Sequence, residues 1–512
     1  MKSICLSIIA VVSFCLVPNA VYSQTAVASQ TFEPAWESLA THKAAPEWFQ
    51  DAKVGIYFHW GVYSVPAFAS EWYPFYMHRP GRVFDHHVET YGHPSKFGYH
   101  DFVPMFTAEK FDPDDWAKLF YDAGAKFAGP VAEHHDGFSM WDSNATPWNA
   151  ADMGPKRDIT GELFASLRKL DMKTIATFHH ARNLQRYPTM PEPKEGDVDR
   201  RDRSSSHYLN VEGYPTSSDD AKLQRLYGNM PEQQWLEEIW FAKLKEVIDQ
   251  YRPDIIWFDS WLEKIPEAYR QKFAAYYLNE AEKMGSEVVI VRKQDDLPLS
   301  FTVNDHEKSR EPKALPETWM TDDTISKGSW CYTDDLKIKG SPQIIHSMID
   351  TVAKNGVMLL NVSPMADGTI PENQRAVLAE LGKWLKANGE AIYRTRIWES
   401  YGEGPTQEPA GGFKSHSKFT NLEYSDKDVR FTRSKDGKHV YAMILGWPGS
   451  GESVTLRSFG KEMAGANTDI KSVAILDTGE SLAFTRDDSG LQVTMPEKVN
   501  NEIAVAIRID VQ

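Results

Sequence analysis

The stretch Ile255-Ile256-Trp257-Phe258-Asp259-Ser260 constrains this chain more than any other. It follows Tyr251-Arg252-Pro253, where a helical pattern stops at a proline, and it stays apolar until it meets a carboxylate. An unbroken apolar run of this kind reads as a strand buried on both faces, the habit of parallel sheets. Asp259 then stands at the strand's carboxyl end, where (β/α) barrels gather their reactive side chains. Taken alone, the segment is equally compatible with an Asp that caps the next helix.

Three further strands with the same habit favour the first reading. Val54 to Phe58 runs into His59-Trp60-Gly61, Phe127 to Ala132 into Glu133-His134-His135-Asp136-Gly137, and Thr174 to Phe178 into His179-His180. A lone histidine is usually a satisfied structural residue. Clusters at equivalent strand ends converge on one face of a barrel with Asp259, and so describe a pocket.

From about residue 33 to residue 395, strands alternate with helical patterns, which means a parallel sheet. Asp112-Pro113-Asp114-Asp115 opens one helix with an N-cap, a first-turn proline and first-turn acids. Other helices are expected from Gly161 to Leu170, Pro231 to Tyr251, Pro266 to Met284, Pro342 to Lys354 and Pro371 to Tyr393. Further strands are expected at Glu287 to Val291, Thr318 to Thr321 and Val357 to Val362. The length and number of repeats favour a (β/α)8-like, TIM-type barrel over an open doubly wound sheet. No glycine-rich phosphate fingerprint follows a strand, which weighs against a nucleotide-binding fold. Pro191 to Asp220, rich in charge, Ser and Pro, is expected to be a long loop bordering the pocket. From 399 to 512 the chain shows short alternating runs divided by turn signals, read as a C-terminal antiparallel β-sandwich with an accessory role.

The first 23 residues have the basic, apolar and small-residue order of a secretory signal, so an exported protein, periplasmic or secreted, is expected. Cys5 and Cys15 leave with it, and Cys331 alone cannot form an intramolecular disulfide. No later segment looks transmembrane, and no lipid anchor is read. A formal charge of −16 argues against nucleic acid as a partner. The 16 tryptophans suit the apolar faces of sugars, although many such rings belong to any core.

Paired carboxylates in an aromatic pocket are what glycoside hydrolysis needs, since one protonates the leaving group while the other meets the anomeric carbon. The runs Phe58-His59-Trp60-Gly61, Tyr63-Ser64-Val65-Pro66, Ser70-Glu71-Trp72-Tyr73, His134-His135-Asp136-Gly137-Phe138, Trp257-Phe258-Asp259, Asn355-Gly356, Leu359 to Pro364 and Asp367 to Pro371 resemble, in order, the retaining α-L-fucosidases of glycoside hydrolase family 29. A barrel followed by a β-sandwich also resembles that family.

The resemblance implies that Asp259 is the nucleophile and that Trp257, two positions earlier, walls the sugar site. His59, Glu71, Trp72, His134 and His135 match positions that hold fucose hydroxyls. Tyr57, Trp257 or Trp330 is expected to face the C6 methyl group. The segment His306-Glu307-Lys308 to Trp319-Met320-Thr321-Asp322 resembles the version of the family with a glutamate before a Trp-x-Thr-Asp run, which places the acid/base on Glu307; Glu311 and Glu317 are its rivals. Arg292 is matched to the family's arginine near the sugar. Where many members carry tyrosine and serine, this chain has Phe178-His179-His180-Ala181-Arg182-Asn183, which leaves linkage preference open. No cofactor or metal is expected, because adjacent histidines on a strand point to opposite faces and a zinc site needs three ligands on one side. The expected partner is a fucosylated oligosaccharide or glycoconjugate. α-L-Galactoside hydrolysis, transfucosylation and non-catalytic glycan binding are the alternative functions, and the oligomeric state is left open.

Overall fold

The computed structural model describes residues 31–183, 213–406, 409, 418–419 and 421–512. The expected signal segment and most of the expected loop from Pro191 lie outside these residues.

Eight parallel strands form one sheet: β1 (Val54–Phe58), β2 (Phe127–Glu133), β3 (Lys173–Phe178), β4 (Ile255–Phe258), β5 (Val289–Arg292), β6 (Val303–Asn304), β7 (Trp319–Thr324) and β8 (Gly356–Val362). Their order is β6-β5-β4-β3-β2-β1-β8-β7, and a parallel bridge from Asp305 to Met320 nearly closes the ring. The barrel read from the sequence is present. Its two-residue β6 was not anticipated, because so short a strand leaves no pattern. The helix expected over Pro231 to Tyr251 is divided by a π-helical stretch, Leu236–Phe241.

Barrel closure explains where the polar clusters go. Tyr57, Phe127, Ile175, Trp257, Val291, Val303, Met320 and Leu359 point into the barrel and share one buried cluster. Side chains two residues further along each strand point the same way. Those positions are His59, Asp259, Lys293, Asp305, Asp322 and Asn361, and His179 follows with the same parity four residues beyond Ile175. The floor of the carboxyl face is therefore one more inward layer of the barrel, made of titratable groups instead of aliphatic ones. Gly55 is required below it, since a Cβ there would lie 2.1 Å from the Phe127 ring.

β2 departs from regular alternation. Its pairing with β3 shifts by one residue between Val131 and Glu133, and such bulges re-aim side chains. Glu133 turns outward to a helix, where Lys243 Nζ donates to its two oxygens at 2.8 and 2.6 Å and Ser139 Oγ donates at 2.7 Å. Both members of the ion pair are fully buried. Replacing Lys243 by Met leaves a buried charge without its counter-ion, so Lys243→Met is expected to cost about 3–5 kcal/mol. Thermal denaturation should show a midpoint lowered by several degrees, with Glu133→Gln on top restoring most of the loss. An unchanged midpoint for the single variant would contradict this.

The chain after the barrel forms two antiparallel sheets. One contains β9 (Arg396–Glu403), β10 (Val429–Arg433), β11 (His439–Ile444), β13 (Ile470–Ile475) and β16 (Val505–Val511); the other contains β12 (Ser453–Leu456), β14 (Phe484–Asp487) and β15 (Gly490–Thr494). Phe431 and Ile507 of the first sheet share a buried core with Leu456 and Val493 of the second, which makes a sandwich. β9 and β14 were not anticipated. β9 begins at Arg396, before the composition change at 399. Asp350, in the barrel helix Ser341–Ala353, ties the two parts together by accepting from Arg430 Nε of β10 at 2.6 Å, and it also accepts from Lys354 Nζ of its own part at 2.9 Å. Among the described residues no helix is long and apolar enough to cross a membrane.

Candidate active site

A cavity of about 680 Å³ opens over the carboxyl ends of the barrel strands. Its floor carries His59, His134, His135, His179, Asp259, Lys293, Glu307 and Asp322; Trp72, Trp261, Trp330, Arg79 and Arg182 rise around them. The Arg182 guanidinium lies 4.6 Å from the Trp72 ring and 4.3 Å from the Trp261 ring, a stack that stiffens the rim.

Lys293 is the hub of the floor. Its side chain is 5% exposed, and Nζ lies 3.1 Å from Asp259 Oδ1, 3.0 Å from Glu307 Oε2 and 3.2 Å from Asp322 Oδ2. The parallel register places it there: Ile255 pairs with Val289 and Trp257 with Val291, so Asp259 comes level with Lys293. Sharing one ammonium keeps the nearest oxygens of Asp259 and Glu307 within about 6 Å of each other. Retaining glycosidases hold their carboxyl groups about 5–5.5 Å apart, a spacing that this shared contact accommodates.

Charge separates the two carboxyls. Burial alone would raise the pKa of Asp259, but the Lys293 ammonium beside it holds it well below the usual carboxylate range. Glu307 goes the other way: burial pushes its carboxyl up, Asp322 and Asp259 add to that, and Lys293 offsets only part of it. Asp305 is driven well above its ordinary value by burial and by the charge of Asp322. Burial would lower Lys293, yet Asp322, Glu307 and Asp259 keep it well above the ordinary lysine value. One carboxylate stays ionised while its neighbour favours the acid, the division of labour expected of an acid and a nucleophile.

The imidazoles are held neutral and oriented. Burial lowers His59 to about 3. Its backbone N–H and its Nδ1–H both donate to Asn361 Oδ1, at 2.9 and 2.8 Å. Asn361 Nδ2 donates to Thr324 Oγ1 at 3.0 Å and to the Trp330 carbonyl at 2.8 Å, which sets the amide so that its oxygen faces His59. The other ring nitrogen of His59, Nε2, therefore carries a lone pair. His135 donates Nδ1–H to the His179 carbonyl at 2.6 Å and turns Nε2 towards Asp259 Oδ2 at 3.4 Å. Burial lowers His135, and it lowers His179 well below the ordinary value.

The family profile for alpha-L-fucosidase matches residues 19–390, and that for the alpha-L-fucosidase C-terminal domain matches residues 423–510. The chain belongs to the alpha-L-fucosidase family. It is 32% identical over 484 residues to the tissue alpha-L-fucosidase of Rattus norvegicus, covering 92% of this chain and 90% of that protein. The plasma alpha-L-fucosidase of Homo sapiens is 30% identical, with 91% and 89% covered. A crystal structure of Thermotoga maritima alpha-fucosidase in complex with a mechanism based inhibitor superposes with a TM-score of 0.72 at 28% identity, over 94% of this chain and all of that one. As a member of the alpha-L-fucosidase family the protein is a glycoside hydrolase.

Of the residues singled out from sequence, Asp259, Glu307, His59, Trp72, His134, His135 and Trp330 line the cavity. Neither rival of Glu307 does: Glu311 is paired with His306 at 2.8 Å, and Glu317 is exposed. Four expected positions need correction. Arg292 has outward parity, and its Nη1 donates to the Gln294 carbonyl at 2.5 Å and to Asp295 at 2.8 Å, so the cation at the floor is its neighbour Lys293. Trp257 points inward as expected but lies one layer too deep, fully buried under Lys293 Nζ at 4.7 Å, and is a base instead of a wall. Tyr57 is likewise buried below, donating to Asp322 at 3.0 Å. Glu71 accepts from the Trp330 backbone N–H at 3.0 Å and from Ser329 at 3.2 Å, and so positions that tryptophan. Lys293, Asp322 and Asn361 were missed as site residues; their signal is inward parity, which needs the strand register to be read.

Proposed function

We propose that the protein is an exo-acting, retaining α-L-fucosidase in which Asp259 is the nucleophile and Glu307 the acid/base. The observation that carries this reading is the single ammonium of Lys293 held between the two carboxyls, 3.1 Å from Asp259 and 3.0 Å from Glu307. Asp259, ionised, attacks the anomeric carbon through an oxocarbenium-like transition state while Glu307, favoured as the acid, protonates the departing oxygen. Once Asp259 is esterified its negative charge is gone. That charge was one cause of the raised pKa of Glu307, so the carboxyl becomes less basic at the step where, having lost its proton, it must take one from water. The same residue thus serves both steps.

The imidazoles of His59, His134 and His135 offer fixed partners for the fucose hydroxyls, and Trp330, stacked on His59 at 5.3 Å, offers an apolar face to the C6 methyl group. The rim, where Arg182, Trp261 and Trp72 meet, lies where a leaving glycan would depart. Export of the mature chain from about residue 24, with a barrel over 33–395 and an accessory sandwich over 399–512, belongs to this proposal. It rests on the residue order of the first 23 positions and the composition change near 399.

The test is the stereochemistry and the labelled residue. Proton NMR of the first product from an aryl α-L-fucoside should show α-fucose before mutarotation. A 2-deoxy-2-fluoro-fucosyl fluoride should leave a mass adduct on the peptide that contains Asp259. β-Fucose as first product, or a label on another residue, would refute the assignment.

A further inference from the structure

His59, His134 and His179 come from three different strand ends and bring a ring nitrogen each to within 4.8 Å of one another. All three are buried, and their ring centroids lie 5.5, 5.2 and 4.6 Å apart. The objection to a metal drawn from sequence, that neighbouring histidines on one strand diverge, holds for His180, whose Nε2 faces the Trp240 carbonyl at 3.2 Å. It does not hold for the set, because each ligand comes from its own strand and all have inward orientation. From these contacts we infer that His59, His134 and His179 form a three-imidazole site for a borderline divalent transition metal, with Zn²⁺ the fitting ion.

Three features support the assignment. Three imidazoles with a fourth position left open make the donor set that zinc takes in open sites. His59 has the outer support such ligands need, since Asn361 holds its Nδ1 proton and leaves Nε2 for the ion. Bonds of about 2.05 Å in a tetrahedron place ligand nitrogens about 3.4 Å apart, so the rings close by little more than 1 Å, within reach of small side-chain rotations. Glu307, Lys293 and Asp259 are outside the set, so the ion would sit beside the reacting carboxyls without replacing either.

The consequence for catalysis rests on the reading of this floor as the fucose site. Two of the imidazoles that would bind the ion, His59 and His134, are those offered to sugar hydroxyls, so metal and substrate exclude each other and Zn²⁺ acts as a competitive, chelator-reversible inhibitor.

Calorimetric titration of untagged, chelator-treated full-length protein with ZnCl₂ tests the site without reference to turnover, while activity in EDTA tests the fucosidase reading separately. One equivalent is expected with a Kd in the micromolar range or tighter, with His179→Phe weakening it by at least about 100-fold and the exposed His93→Ala leaving it unchanged. Co²⁺ added to the wild type should give the intense visible bands of a four- or five-coordinate ion, a readout that needs no variant to fold. Absence of binding up to about 1 mM Zn²⁺, a hexa-aquo-like Co²⁺ spectrum, or a folded His179→Phe that retains affinity within that factor overturns the proposal.

Discussion

Asp259→Gly is expected to lower hydrolysis of an aryl α-L-fucoside by at least about 10⁴-fold, equivalent to about 5.5 kcal/mol of barrier. The size follows from the role, because without a nucleophile the route through the covalent intermediate closes. Collapse of the site is not the expected cause, since Lys293 has two further carboxylate partners in the intact protein, Glu307 at 3.0 Å and Asp322 at 3.2 Å. Glycine leaves a space beside the anomeric carbon, and it cannot revert to a carboxylate by deamidation as asparagine can. Azide should enter that space and restore turnover, and the product should be β-fucosyl azide, inverted relative to the substrate. Residual activity within tenfold of wild type, or an azide product of retained configuration, would remove Asp259 from its role. A variant disabled by misfolding gives no azide rescue, so the two causes of inactivity are separable.

What sequence alone conveyed about this site follows from strand geometry. Asp259, His59 and His179 each stand directly after an apolar run, so their place at a strand mouth was readable from local pattern. Arg292 and Lys293 are adjacent charges at the end of a four-residue strand, and no local pattern says which of them faces inward. That choice is made by pairing with β4, where Trp257 lies opposite Val291, and pairing between strands some 34 positions apart is not a property of either segment. Trp257 had the right parity but the wrong depth: two residues of strand rise about 6.6 Å, enough to place its ring under the floor. Asp305 and Asp322 belong to the same inward layer, yet β6 has only two residues and gives parity nothing to act on. His134 and His135 both reach the cavity because of the bulge in β2, which breaks the alternation that sequence reasoning assumes.

Lys293 is where charge and geometry meet, and Lys293→Met should reveal it in the pH dependence of kcat/KM. The sign follows from the neighbours. The ammonium lowers Asp259 against the effect of burial and opposes the rise of Glu307, so removing it raises the pKa of both carboxyls. The acidic limb, set by ionisation of the nucleophile, moves to higher pH. The alkaline limb, set by loss of the acid's proton, moves the same way. At neutral pH the carboxyls of Asp259, Glu307 and Asp322 lose the charge that holds them in one geometry. A loss on the order of 10²–10³-fold in kcat/KM is expected there, the range found when one preorganised charge or donor is removed from an active site. Lys293→Arg, which keeps the charge but changes its shape, should return both limbs towards their wild-type positions even if the rate recovers only in part. A purely structural lysine gives a lower rate with limbs unmoved, and that profile would show that the shared ammonium does not set the protonation of the pair.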